Sequence, residues 1–458
     1  MDSDRKRLAH RALGWLATGG LSVGLTAPAV RADGVPGAAA GTCDLAACVA
    51  RAVERSPSRK AVGAAVEAAE AQVEATASQR YPRFKTDGGV QVWDSALELS
   101  LGSFPGINIP ATKLRDQITW NVNVTVAQPL AGLWTILEAS ELQRLGVSAA
   151  TLEAEAETAR VALEATEAWI QAALAADLVG VAEAAEAQRA SGAARAKVLV
   201  EGGVLIPSEL TRAELGVTQA RQGTAQARRQ AQLALARLSQ LVGGPVTPAS
   251  REGGVLVTTG VPELAAAREG ALTARPELRK LEQQLAMARQ AVAVERTMLA
   301  PSVNLVGQAQ FVGGSRLQRS EQALVGVSFD WTFWEWGSRY HKLDELRARV
   351  REVEARLEQL KEGLVLEVEA AWIAWSSAVE QAGLAAGAEG LAGETLTLTR
   401  ARFDAGAATT FELEDVEQSV TRARIERRAA EAQAKLARAR LARAMGNGVD
   451  GIVGEASR

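Results

Sequence analysis

Groups that could do covalent or metal chemistry are few in this chain of 458 residues, which holds two histidines and two cysteines. His10 sits in a basic-then-apolar N-terminal segment and His341 stands alone far downstream. One mature histidine assembles neither a Ser-His-Asp triad nor a zinc site. Cys43 and Cys48 flank the start of a predicted helix, a spacing that suits a short local disulfide in an oxidising compartment. Lipid attachment at Cys43 is the alternative, although Ala40-Gly41-Thr42 lacks the usual large apolar residue three places before the cysteine. No cofactor, metal site or catalytic constellation is expected, and the chain does not read as an enzyme. What remains is electrostatic and steric. Thr409 and Glu412 fit the S/T-x-x-E capping box, with Asp415 three residues on, so both acids belong at a helix N-terminus. Trp331, Trp334 and Trp336 cluster after an alternating strand pattern, with Trp134 just past the matching place in the first half. Such aromatics suit a membrane-water interface or packing where strands meet helices.

Residues 1–32 read as a signal peptide: a basic stretch through Arg11, an apolar run from Ala12 to Val30, and a Val30-Arg31-Ala32 cleavage pattern. Glycines and prolines interrupt that run, which weighs against a plain transmembrane anchor. No later stretch of ~18 uninterrupted apolar residues follows, so no further helix is expected to span a bilayer. Apolar residues make up 47% and aromatics only 4%, an alanine-rich balance that favours close helix packing. The net charge of -3, with no basic run past Arg11, argues against a nucleic-acid partner.

The chain repeats itself. Leu45-Ala46-Ala47 through Ser56-Pro57 matches Leu264-Ala265-Ala266 through Arg275-Pro276 at a shift of 219, and Pro57 to Pro82 spans the same 25 residues as Pro276 to Pro301. Further on, Glu209 with Glu412, Val217 with Val420, Gly203 with Gly406 and Gly243 with Gly446 all obey a shift of 203, as Val124 and Val327 already do. The missing 16 residues therefore fall between the second proline and that valine, in one strand-to-strand loop.

Each repeat (45–243 and 262–446, joined by a linker 244–261 and followed by a tail 447–458) has one order of elements. An alanine-rich helical segment, Leu45 to Arg80 or Glu263 to Leu299, ends at a proline. Two alternating strands follow, then almost 70 proline-free residues, Trp134 to Glu201 or Trp336 to Phe403, long enough for a helix of ~100 Å. A turn with Gly202-Gly203 or Gly406 leads into a return helix, Pro207 to Val242 or Thr409 to Met445. Leu210, Ala213, Val217, Ala220, Thr224, Ala227, Ala231, Ala234, Leu238 and Leu241 form a coiled-coil seam. The fold class is mainly α with a small β portion, duplicated, with long helical hairpins and two β-hairpins. Four strands are too few to close on themselves, and open edges cannot face lipid, so several copies must pool them. A soluble periplasmic coiled-coil scaffold is the alternative of another class, and it leaves the two-faced strands unexplained.

The turn from Arg402-Phe403-Asp404-Ala405-Gly406 through Glu412-Leu413-Glu414-Asp415-Val416 resembles the TolC family of outer-membrane efflux proteins, as do the Arg275-Pro276-Glu277-Leu278 entry and the Tyr81-Pro82 and Ala300-Pro301 steps into strands. The likeness covers Leu45 to Gly446. It implies a homotrimer whose twelve pooled strands form one barrel in the outer membrane of a Gram-negative bacterium, continued into the periplasm by a helical tunnel with the linker at its waist. It implies a periplasmic adaptor and an inner-membrane transporter as partners, for multidrug or metal efflux, or alternatively for type I protein secretion. Carried residue by residue, it puts Glu412 and Asp415 at the pore constriction, Glu209 and Phe403 in a tip latch, and Gly202, Gly203, Gly406 and Thr409 at turns that meet the adaptor. Phe403 has no hydroxyl and Ala408 stands where a basic latch residue would sit, which departs from the family's polar gate.

Overall fold

The computed structural model describes residues 41–457 apart from 100–102, 105–106, 109–110, 205, 249–262 and 406. The expected signal peptide, most of the 244–261 linker and Gly406 lie outside the described residues.

Strand β1 (Gly41–Cys43) leads into α1 (Leu45–Arg55), whose first N–H donates to Asp44 Oδ1 at 2.9 Å. The helix stops before Pro57 because a residue preceding proline is pushed out of helical backbone, and Ser56 has ψ 121°. Ser56 then caps α2 (Pro57–Ala77), accepting from Arg59 N. The single helix expected over Leu45–Arg80 is thus two. The second repeat breaks in the same place, between α5 (Leu264–Ala274) and α6 (Pro276–Thr297), at Arg275.

After α2 come β2 (Arg83–Val92), the short β3 (Leu97–Leu99), β4 (Ser103–Phe104) and β5 (Ile107–Asn108), and the long β6 (Thr112–Pro129). The helical hairpin α3 (Leu133–Glu201) and α4 (Pro207–Val242) follows, then β7 (Val246–Pro248). The second repeat adds β8 (Ser302–Ser315), β9 (Glu321–Asp330), α7 (Ser338–Asp404) and α8 (Thr410–Ala444). At 69 and 67 residues, α3 and α7 are each about 100 Å long at 1.5 Å per residue. The second of them, expected from Trp336, starts later: Trp336 (φ 52°) and Gly337 (φ 81°) take left-handed backbone and turn the chain into α7. Residues 447–458, expected as a tail, contain α9 (Val449–Ser457), which buries Ile452 completely against α1, α3 and α8.

The principal sheet runs β2-β6-β8-β9, antiparallel throughout, with β3 extending the pairing of β6. The two β-hairpins therefore join through β6 and β8, leaving β2 and β9 as edges unpaired among the described residues. A second pairing, not expected, sets β1 parallel to β7, Gly41 opposite Val246 and Cys43 opposite Pro248, which ties the beginning of the first repeat to its end. Cys43 and Cys48 are disulfide-bonded with Cα atoms 5.7 Å apart, and Trp169 Nε1 donates to Cys43 O at 3.1 Å. Closing so short a loop stabilises by about 2 kcal/mol on the chain-entropy account.

The helices pack through small residues. Ala162, Ala165, Ala439 and Ala442 are buried together beside Leu45, Val49 and Leu436, where α1, α3 and α8 converge. Along α4 the seam buries Ala213, Val217, Thr224, Ala231 and Leu238. Thr224 Oγ1 reaches Ala182 O on α3 at 3.3 Å, a distance open only to closely approaching helices. One window of α3 reaches a mean hydropathy of 1.3, apolar enough by composition to cross a membrane. That helix instead continues from β6 and packs on α2, α4, α6 and α8, the contacts that use its alanines.

Candidate functional site

Register makes the sheet two-faced. Phe84 is opposite Val126, Val90 opposite Trp120 and Val92 opposite Ile118; Val122 is opposite Phe311, Leu305 opposite Val327 and Val303 opposite Phe329. Because side chains alternate along a strand, all of these lie on one face. Asp87 pairs with Asn123, Gln91 with Thr119, Thr125 with Gln308, and Gln310 with both Asn123 and Gln322 on the other. There Asn123 Nδ2 donates to Asp87 Oδ2 at 2.9 Å. In the single chain the apolar face has no cover: Phe84 is 78% exposed, Val325 81% and Val327 65%. A sheet with one oily face, one amide-rich face and two open edges cannot stand alone in water. It needs lipid on the first face, water on the second and another strand at each edge.

Aromatic residues crowd the end of the sheet nearest the long helices. Trp331, Phe333, Trp334, Trp336 and Trp134 are all exposed, Trp336 at 86%. Trp334 and Trp336 meet edge-on with centroids 5.8 Å apart, and Trp331 Nε1 donates to Leu299 O at 3.3 Å. Placing Trp336 in solvent while it holds a left-handed φ costs about 1–3 kcal/mol, so local packing alone does not account for its orientation.

At the far end of the helices the two hairpins turn. Gly203 takes φ 74° where the first turn requires left-handed backbone, Gly202 N–H closes α3 onto Val198 O at 2.9 Å, and Pro207 opens α4. In the second turn Thr409 Oγ1 accepts from Glu412 N at 3.2 Å, so Thr409 caps α8. The Glu412 carboxylate faces Arg402 at 3.8 Å, and Asp415 is exposed. Among the described residues Glu209 pairs with Arg212 alone, on its own helix at 3.9 Å, and Phe403 is half-buried in a cavity of about 50 Å³ between the two tips. Within one chain the structure therefore does not bring Glu209 and Phe403 into a shared polar contact.

The link between the tips is one that sequence reasoning missed. Arg189 of α3 lies 3.6 Å from Glu414 Oε1 and donates to Glu414 O at 3.1 Å, with both side chains about one-fifth exposed. Arg400 and Glu417 pair nearby at 3.3 Å. Nothing in the spacing of Arg189 and Glu414, 225 residues apart, announces the pair. Midway along, Arg275 is almost buried, pairs in charge with Glu277 and donates to Glu367 and to the Arg443 carbonyl, tying the start of α6 to α7 and to the end of α8. Beside it a cavity of about 750 Å³ opens among Arg59, Lys60, Thr151, Glu277 and Arg443. The Arg160 guanidinium, hydrogen-bonded to Glu157, holds that carboxyl down at about 2, so this surface pair keeps its charge until the pH falls well below the usual carboxylate range.

A family model described as outer membrane efflux protein matches residues 48–244 and again 267–447, the two repeats in turn. Solved structures share the architecture. The MtrE outer membrane channel of Neisseria gonorrhoeae, in its open state, superposes with a TM-score of 0.70 at 19% identity, over 88% of this chain and 89% of that one. The CmeC outer membrane channel of Campylobacter jejuni gives 0.71 at 15%, over 90% and 89%. CusC, described for its transmembrane channel formation, gives 0.72 at 18%, over 90% and 95%. Among curated proteins none matches with significance.

Proposed function

We propose, from the premise that this chain belongs to the outer membrane efflux protein family, that it is the passive exit duct of a tripartite efflux pump. Its place is the outer membrane, with the helices reaching into the periplasm. The observation that carries the reading is the four-stranded sheet, apolar on one face and polar on the other, open at both edges, and continuous with helices of about 100 Å. Three copies would pair β2 of one with β9 of the next and close a barrel, apolar face to lipid and amide-rich face to the lumen. The exposed tryptophans then lie at the periplasmic membrane surface, where an indole meets both oil and water. The helix tips would meet a periplasmic adaptor, and an inner-membrane transporter would supply the energy.

Membrane fractionation and native mass in mild detergent test this. A trimer in the outer-membrane fraction that conducts ions in a planar bilayer is the expected result. A monomer extracted without detergent would instead mark a soluble scaffold.

In the assembled duct, Glu412 and Asp415 would give six carboxylates near one constriction, favouring cations at the entrance. Glu412→Gln combined with Asp415→Asn is expected to lower the cation-to-anion permeability ratio, read as the reversal potential in a salt gradient. An unchanged ratio would leave Glu412 with only its place at the start of α8.

A further inference from the structure

The sheet's polar face carries a group that neither the acidic tip nor the aromatic rim uses. At the end of the sheet remote from the long helices, Trp93 extends β2 by donating its main-chain N–H to Gln117 O at 2.7 Å. Its indole Nε1 donates to Thr119 Oγ1 at 3.0 Å. Thr119 pairs with Gln91 and stands on the face that carries Asn121 and Asn123, so the indole lies on the polar side and covers Thr119. Arg115 stacks on that indole with Cζ 3.6 Å from the ring centroid. The stack fixes the guanidinium plane. Its Nε is shut off from solvent without a hydrogen-bond partner, and among the described residues Arg115 has no ion pair.

The backbone is bent to put Arg115 there. Trp120 pairs with Gly313, and the next pairing outward joins Arg115 to Ser315, so residues 116–119 of β6 stand against Gly314 alone. Gly314 has φ 79°, and a Cβ on it would meet Ile118 O at 2.1 Å, so only glycine permits this bulge. Bulges re-aim side chains at sheet ends. Among the described residues no carboxylate pairs with it: Lys113 faces Glu98 in register, and the Asp94 carboxylate accepts from Ser95 N and Oγ. Asp116 is exposed on the same strand, and the Arg316 main-chain N–H donates to Leu114 O at 2.8 Å, continuing the pairing past the bulge.

We propose that Arg115, presented by Trp93, is an anion-binding site at the outward end of the polar face, taking multivalent phosphate- or sulfate-bearing solutes. A planar guanidinium with unused N–H groups matches the oxygens of such groups, and stacking removes the entropy it would otherwise lose on binding them. The site rests on the channel reading above: closure by copies brings one Arg115 per copy to the same level of the lumen, so that one polyanion could engage several at once.

Inorganic tripolyphosphate added to the loop side of single trimers in a planar bilayer tests the site. Block of the current is expected from that side and much less from the helix side. It should weaken roughly tenfold or more in Arg115→Gln and in Trp93→Leu, which keeps the charge but loses the stack, and recover in part in Arg115→Lys. Pores that tripolyphosphate leaves unblocked, or blocks equally in wild type and in either of the first two variants, would overturn the site while leaving the channel intact. Absence of any pore in the wild type would sink both readings.

Discussion

Val325→Arg is expected to abolish assembly in the outer membrane, while Gln322→Arg on the same strand is tolerated. Val325 sits mid-strand opposite Gly307 on the apolar face, and it is 81% exposed in the single chain. An arginine on the lipid face near the bilayer midplane costs about 2–4 kcal/mol, once per copy, whereas a substitution facing the lumen costs little. Gln322 pairs with Gln310 on the polar face. The measurement is the amount of trimer that resists unheated detergent electrophoresis in the outer-membrane fraction. Normal assembly of Val325→Arg would mean that this face does not meet lipid, and the barrel assignment would fall.

Arg189→Ala is expected to loosen the helical tips and raise the single-channel conductance or open probability. At the tips the Arg189 guanidinium joins α3 of one hairpin to α8 of the other, through both the carboxylate and the main-chain carbonyl of Glu414, while Arg440 and Glu167 pair the same two helices at 2.7 Å further from the tips. Hydrogen bonds to charged groups contribute about 1.5–3 kcal/mol, so its loss would shift the balance between joined and separated tips roughly 10- to 100-fold. Glu414→Gln removes the charge but leaves the carbonyl, and a smaller change is expected. Conductance records of Arg189→Ala that match the wild type would show that the tips are held by something else, such as the apolar contacts of Phe403, Ala196 and Leu413 around the small cavity.

Much of this architecture is legible before folding because it rests on periodicity. The alternation from Ile118 to Val126 and from Val325 to Phe329 marks strands with two environments, although its continuation through Trp331 and Phe333 leaves the sheet, which ends at Asp330; the three-four spacing from Leu210 to Leu241 marks the side of α4 that becomes buried or half-buried. Helix ends were legible where a single residue dictates them: α4 begins at Pro207, and α8 follows its Thr409 cap. The start of α7 was not, because aromatic Trp336 gives no local sign that it adopts φ 52°. The tail became α9 for a related reason: Ile452 has no partner in its own segment and finds one only when α1, α3 and α8 converge.

By itself the sequence determined the duplication, the confinement of the length difference to one loop, and the division of each strand into an oily and a wet side. These follow from repeat arithmetic and from side-chain spacing, which need no knowledge of partners. Tertiary structure alone decided which strands are neighbours, that β6 joins β8 and leaves β2 and β9 as the edges, and that β1 runs beside β7. It alone also decided which charges meet. Glu209 stays on its own helix while Glu414 crosses to Arg189, and Arg115 lies on Trp93. Such contacts join residues from 22 to 225 positions apart, and their geometry depends on helix rotation and on a bulge at Gly314 that no local pattern encodes.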